Sequence, residues 1–361
     1  MRIALLHYTF EPVIGGVERV LRDQATALGV LGHRVEVMNQ RGFEEVLRPR
    51  VTEYDAVIVH NVFTMPFDLG WTADLRELAS RTAGKVLWIN WVHDVASVNP
   101  FYAHLPWEEE AYKRLSQPVP GALTVAVSRQ RQGDYARASG MRAEDIHVIH
   151  NGLDMPALLG LSPRVAQLEL WENDLVLVHP TRLLRRKNIE LGIRVAACLK
   201  EAKCKVLYAI TGAPDPHQTD GQRYYQELKT LAAGLGVEKE VRFLGEVGAL
   251  TDADVRSLYI AGDALFFPSV GEGFGLPLLE AMAHRMPVFC SDIGVHHEVL
   301  GAAGSYFDLS AKPEEISAQI VQWSRAATVV NQRRHLWHRH AMVKICQEHL
   351  EPLLATANQS A

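Results

Sequence analysis

The sequence predicts an α/β protein made of two doubly wound, parallel-sheet domains in tandem. Short apolar runs rich in β-branched residues alternate with longer segments of helical period, which is the pattern of βα units. That pattern restarts near residue 175. At 361 residues the chain is also too long for one ordinary core and suits two domains of roughly 150 residues each.

In the first half the strands are expected at Arg2–His7, Arg34–Met38, Ala56–His60, Val86–Trp91, Thr124–Val127 and Ile146–Ile149. The second series is Leu175–His179, Lys205–Thr211, Val241–Leu244, Ala264–Phe267, Val288–Cys290 and Gly304–Phe307, with helical segments between. Asn151-Gly152-Leu153-Asp154 and the MPALLGLSPR that follows mix turn formers with no clear period, so the seam is expected at about residue 160. This gives a first domain over 1–160 and a second over 161–330. Residues 331–361 continue as NQRRHLWHRHAMVKICQEHLEPLL, amphipathic and with no strand to follow, and predict a terminal helix that packs back on the first domain.

Composition narrows the class. Hydrophobic residues at 48% and charged residues at 22% are ordinary for a globular chain that folds throughout. Formal charge is −5, with 16 Lys and Arg against 18 Asp and Glu in residues 1–150 and 21 against 24 in the rest. Neither half is a polycation, which argues against nucleic acid as a partner and against strong attraction to an anionic bilayer. The apolar run at the N-terminus is too short for a secretory segment, and no stretch reaches the ~20 apolar residues of a membrane span. A soluble protein, at most peripheral to a membrane, is expected. Cys198, Cys204, Cys290 and Cys346 show neither a C-x-x-C pair nor zinc-type spacing, which fits a reducing cytoplasm.

The most informative stretch is Phe267–Ala281, FPSVGEGFGLPLLEA. It leaves an apolar strand, passes Gly271, Gly273 and Gly275, and enters a helix with Pro277 expected at its first position. The amides of Phe274, Gly275 and Leu276 would be free at a helix start, where an anion or a sugar hydroxyl can bind. Glu272 lies in the loop and Glu280 is expected in the first helical turn. Each carboxylate can accept from two hydroxyls and so suits a vicinal diol. The plain alternative is a strand–turn–helix junction whose glutamate only favours the helix dipole. In HPTRLLRRKNIELG, Arg182 and Lys187 follow the strand Leu175–His179, on the rim where open α/β sheets bind ligands, and two cations there can grip a diphosphate. With Arg185 and Arg186 between them, the alternative is a solvated basic turn.

These residues carry a family resemblance. The R-x4-K of Arg182 and Lys187 and the E-x7-E of Glu272 and Glu280 resemble the sucrose-synthase-like family of retaining glycosyltransferases, glycosyltransferase family 4, with the GT-B fold of two Rossmann-like domains facing across a cleft. GGVER at Gly15–Arg19, VHD at Val92–Asp94, VSR at Val127–Arg129, NGLD at Asn151–Asp154 and FLG at Phe243–Gly245 stand in the order that family shows. The match spans nearly the full length. It is specific for family and fold and says little about substrate.

The resemblance implies a hexose transferred from a UDP- or GDP-linked donor to an acceptor hydroxyl of a sugar, glycan or polar glycoside. It implies no cofactor and no metal. The first domain would hold the acceptor and the second the nucleotide sugar. Gly15 and Gly16 open a helix with apolar positions Val17, Val20, Leu21 and Leu28, and the Gly16 amide would touch the donor diphosphate. His93 would lie near the transferred sugar and leaving phosphate, Glu272 near the sugar and Glu280 near the ribose. Phe243, Gly273, Phe274, Gly275 and Leu276 would complete the donor site, the base near Phe243 meeting mainly backbone. His93, Arg182, Lys187 and Glu272 are then the catalytic set. His60 and Asn61 read as acceptor-side lining, and the aromatic loop Asn99–Trp107 as a sugar platform or a packed loop. With no convincing nucleophile, the resemblance favours same-face attack over a covalent intermediate.

Other features point elsewhere. Asp252-Ala253-Asp254 spells the D-x-D of metal-dependent transferases, yet follows Thr251 at a helix start and reads as capping. His335, His338, His340, His296 and His297 have no carboxylate or cysteine completing a metal site and read as surface or interdomain groups. GGVERV in place of G-x-G-x-x-G argues against a dinucleotide cofactor. The rival functions are a sugar-nucleotide epimerase or phosphorylase of the same fold and a non-catalytic nucleotide-sugar binder; a glycogen-type phosphorylase would need a pyridoxal phosphate lysine and a longer chain.

Overall fold

Strands buried on both faces read as near-continuous apolar runs, as Arg2–Leu6, Ala56–His60, Leu175–His179, Val206–Ile210, Ala264–Phe267 and Val288–Ser291 do, and all twelve segments expected as strands form strands. The structure is a computed structural model that describes residues 1–10, 12, 15–212 and 221–356. The strands are β1 (Arg2–Leu6), β2 (Arg34–Met38), β3 (Ala56–His60), β4 (Leu87–Val92), β5 (Ala122–Ala126), β6 (Ile146–Val148), β7 (Leu175–His179), β8 (Val206–Ile210), β9 (Val241–Phe243), β10 (Ala264–Phe267), β11 (Val288–Ser291) and β12 (Gly304–Phe307). β4 runs one residue later than the apolar pattern suggests and β5 two residues earlier; strand ends are the least specified part of any such pattern.

β1–β6 form one parallel sheet of order β2-β1-β3-β4-β5-β6, and β7–β12 a second of order β12-β11-β10-β7-β8-β9. Each order reverses once, between β1 and β3 in the first sheet and between β7 and β10 in the second. Where a doubly wound sheet reverses, the crossovers leave to opposite faces and open a crevice at the strands' carboxyl ends. The segments after β1, β3, β7 and β10 are therefore the places in each unit where a ligand can sit.

The period of two along β1 sorts its side chains onto two faces. Ile3 and Leu5 pack with the helix Gly16–Val30, while Ala4 and Leu6 pack with Trp71 and Leu75 of the helix Leu69–Arg81. In the second sheet Leu175 and Leu177 join Ile189, Ile193 and Ala196 of the helix Ile189–Glu201 and Ile316 and Ile320 of the helix Pro313–Ala326.

The chain divides into Met1–Asp154 with Arg339–Ala361 and Met155–His338. The sequence pattern had suggested a seam near 160 and a return from 331. The terminal region is also not one helix. The helix Thr328–His340 stops where Ala341 turns extended and pairs in parallel with Leu153: Leu153 N donates to His340 O at 2.8 Å, and Met342 N to Leu153 O at 2.9 Å. A Cβ on Gly152 would lie 2.9 Å from both His340 O and Met342 Cα, so only glycine allows this approach. Beyond it Met342, Ile345, Cys346, Leu350 and Leu354 complete the core on the Ile3–Leu5 face. At roughly 1.5–3 kcal/mol per buried large aliphatic side chain, that return stabilises the first unit substantially. All four cysteines are free thiols. Among the described residues no helix is long and apolar enough to cross a membrane.

Candidate functional site

In the second unit the segments after β7 and β10 meet. The turn Arg185–Lys187 is tightened by Lys187 N donating to Leu184 O at 2.8 Å, and Asn188 at φ +49° starts the next helix. Val270 N donates to Arg186 O at 2.8 Å, which zips this turn to the glycine-rich loop. Lys187 is thereby turned inward. It is buried, its ammonium lies 5.1 Å above the Phe267 ring, and it hydrogen-bonds and ion-pairs with Glu272. The second oxygen of Glu272 accepts from Arg186 at 3.0 Å, and the same guanidinium donates to Gly271 O at 3.0 Å.

Burial lowers the Lys187 pKa from its ordinary value; Glu272 opposes that shift, while the charges of Arg186 and Arg182 add to it. Burial acts to raise Glu272, but its bonds to Lys187 and Arg186 hold it below the usual carboxylate range. The pair is charged and mutually neutralised, a cation and a carboxylate poised together at a switch point.

Beyond Glu272 the chain passes Gly273 and Phe274, both exposed, to Gly275 at φ +92°, a conformation that favours glycine. The amides of Gly273, Phe274, Gly275 and Leu276 make no hydrogen bond among the described residues. The helix is Leu276–Ala283, so Pro277 is its second residue and not its first. Glu280 accordingly falls in the second turn, correcting the expected first-turn placement. It is exposed and accepts from Tyr259 Oη at 2.7 Å.

The first unit has its own cluster after β1, β3 and β4. His7 Nδ1 donates to His60 O at 2.8 Å, and His60 Nδ1 lies 2.9 Å from His93 Nε2. Asn61, at φ +64°, turns its Oδ1 to accept from the amides of His93 and Asp94 at 2.9 and 3.1 Å, which ties the ends of β3 and β4 together. Burial, with a smaller push from His7, lowers the His93 pKa to about 3, so the ring is neutral near pH 7. Gly15 and Gly16 begin the helix Gly16–Val30, where the Glu18 carboxylate folds back over Gly15, bonded to Thr9 Oγ1. Among the described residues nothing lies within 4 Å of a Cβ position on Gly16.

Residues 165–336 match the family model described as glycosyl transferases group 1. That match covers nearly all of the second unit. The O-antigen chain mannosyltransferase RfbU of Salmonella typhimurium is 41% identical over 218 residues, 60% of this chain and 55% of that protein. The putative glycosyltransferase EpsD of Bacillus subtilis is 31% identical over 192 residues, 50% of this chain and 46% of that one. The chain thus spans about half the length of these curated relatives. Among solved structures, Anabaena HepE in complex with UDP is 23% identical, with a TM-score of 0.38 over 98% of this chain and 100% of that one.

Within the second unit, Lys187 and Glu272 are in direct contact, and Arg182 is exposed on the segment that leads to them. Phe243 stands apart. It ends β9, at the sheet edge, and is buried edge-on against Tyr225 at 5.3 Å. Asp254 closes a reciprocal cap with Thr251, accepting from its amide at 2.9 Å while Thr251 Oγ1 accepts from the Asp254 amide at 3.2 Å. His338 and His340 donate to the carbonyls of Asn173 and Asn151 at 3.0 and 3.2 Å.

His296 requires a correction. It is fully buried, not a surface group, because the helix Gly294–Leu300 starts behind the end of β11. There His296 Nδ1 donates to Ser291 O at 2.8 Å and its ring lies 5.4 Å from Phe267. His297 faces outward, bonded to Asp292 at 2.7 Å and stacked on Tyr306. Arg186, which reads in sequence as part of a solvated turn, shares Glu272 with Lys187. His7 lies in no motif that singles it out, and Glu18 stands out in sequence only as part of GGVER. The loop Asn99–Trp107 is partly packed: Trp107 Nε1 donates to Tyr102 O at 3.0 Å, while Phe101 is 75% exposed.

Proposed function

We propose that the protein is a retaining glycosyltransferase of the GT-B, E-x7-E type, working without a metal. It would move a hexose from a UDP- or GDP-linked donor to a hydroxyl of a sugar, glycan or polar glycoside. The observation that carries this reading is the ion pair of Lys187 with Glu272 at the switch point of the second unit. In the free protein each neutralises the other, so neither charge is buried unpaired. A nucleotide sugar supplies both with better partners: phosphate oxygens for Lys187 and Arg182, and sugar hydroxyls for Glu272. Glu280, Phe243 and the free amides of Gly273–Leu276 would hold the rest of the donor, and the Gly16 amide the diphosphate, with Glu18 turned away. The relative named as an O-antigen chain mannosyltransferase favours mannose as the hexose.

In the reaction the bond from the anomeric carbon to the diphosphate oxygen breaks as the acceptor oxygen attacks that carbon from the same face. The acceptor's proton passes to the departing diphosphate. Charge accumulates on that leaving group, and fixed donors contribute roughly 3–4 kcal/mol apiece at such positions. Arg182 and Lys187 serve here as the cations that a metal supplies elsewhere.

Metal independence has a direct test. Turnover of the donor is expected to be unchanged in excess EDTA, because the charge-neutralising groups belong to the chain. Complete loss of activity, restored by manganese or magnesium, would overturn this part of the mechanism.

A further inference from the structure

The contact between His60 and His93 raises a question that no motif answers: which ring carries the proton between them. At 2.9 Å one nitrogen donates and the other accepts. His60 is fully buried and stacked on Trp91, with ring centroids 5.4 Å apart. Burial, with His93 and His7 nearby, holds its pKa well below the ordinary value, so it has a single N–H. Its Nε2 is buried with no partner among the described residues. A proton on Nε2 would leave a buried donor orphaned, whereas a proton on Nδ1 leaves only a lone pair, and orphaned donors are the rarer and costlier of the two.

We propose that His60 is a positioning residue. It donates from Nδ1–H to His93 Nε2 and holds His93 as the Nδ1–H tautomer, so that His93 offers the transferred group a hydrogen-bond donor and not a base. The frame around the pair is rigid. His7 Nδ1 holds the His60 carbonyl, and Asn61 Oδ1 holds the amides of His93 and Asp94. Asp94, the carboxylate next in sequence, is engaged elsewhere, accepting from the Val95 amide and from Asn99 Nδ2 at 2.9 Å each and pairing with Arg131 at 3.3 Å. Glu18 lies on the far side of His7, 3.9 Å from its Nε2. Of these groups, only His60 makes a side-chain hydrogen bond to the His93 ring among the described residues. A His93 that can only donate cannot remove the acceptor's proton, which leaves that proton to the leaving diphosphate. This consequence rests on the glycosyl-transfer reading, while the tautomer itself does not.

The test is a long-range 1H–15N spectrum of the full chain with 15N-labelled histidine, the His93 signals being assigned by their loss in His93→Gln. A protonated Nδ1 and a bare Nε2 on His93 are the expected result. A proton on His93 Nε2 would overturn the proposal, whether or not the protein proves to be a transferase. The kinetic arm uses two variants. His60→Leu removes the donor and should lower kcat about tenfold with little change in donor KM, whereas His60→Asn keeps an N–H near the Nδ1 position and should recover to within about threefold of wild type. Equal losses in the two folded variants would count against positioning through that bond. Should His60→Leu fail to fold, the wild-type spectrum alone decides.

Discussion

Lys187→Ala is expected to lower turnover at least about a hundredfold, because it removes a buried cation from the place where the departing diphosphate gathers charge. The size of the effect follows from the environment. Lys187 sits over the Phe267 ring with little access to water, where a fixed charge acts through a low effective dielectric. Folding should survive, since Arg186 stays 3.0 Å from Glu272 and the carboxylate keeps a cationic partner. Arg182→Ala, at an exposed position, should cost turnover similarly with even less effect on stability. Steady-state kcat for each variant, with a thermal melt to show that it is folded, decides the matter. Near-normal transfer by either would remove the diphosphate assignment.

The two glutamates should separate kinetically. Glu280 is exposed, bonded to Tyr259, and assigned to a part of the donor that does not change during reaction, so Glu280→Gln should mainly raise donor KM. Glu272 is assigned to the transferred sugar, and Glu272→Gln should lower kcat more than it raises KM. Glutamine keeps one acceptor for Lys187 but removes the charge, so the Glu272 variant should also lose some stability where the Glu280 variant does not. The reverse kinetic pattern, at saturating acceptor, would exchange the sugar and ribose ends of the donor.

The central strands were legible in sequence because each is an apolar run buried on both faces, a property local to the run; the edge strands β2 and β9 instead alternate apolar and charged residues. The switch points were not, because they depend on which strands pair, and no single segment contains that information. Lys187 and Glu272 could be picked out from spacing within motifs. Their mutual contact could not, since it depends on Val270 bonding to Arg186 across 84 residues of sequence. The break at Ala341 was hidden for the same reason: the segment is amphipathic on its own, and only pairing with Leu153 takes its backbone out of the helix. His296 was misread because the burial of a single histidine is set by the strand end it tucks behind. Pro277 shifted by one place because the left-handed Gly275, and not the proline, sets where the helix starts.

Glycosyl transfer from a nucleotide sugar is tested most directly by release of the nucleoside diphosphate. The full chain is mixed with UDP- and GDP-linked hexoses and candidate acceptors, and free UDP or GDP is followed by phosphorus NMR. Release that depends on acceptor, from at least one donor and with matching growth of a glycosylated product, is the expected result. A donor that binds and raises apparent stability, yet yields neither diphosphate nor product with any acceptor, would mark the protein as a binder of nucleotide sugars and contradict the assignment of a catalytic site.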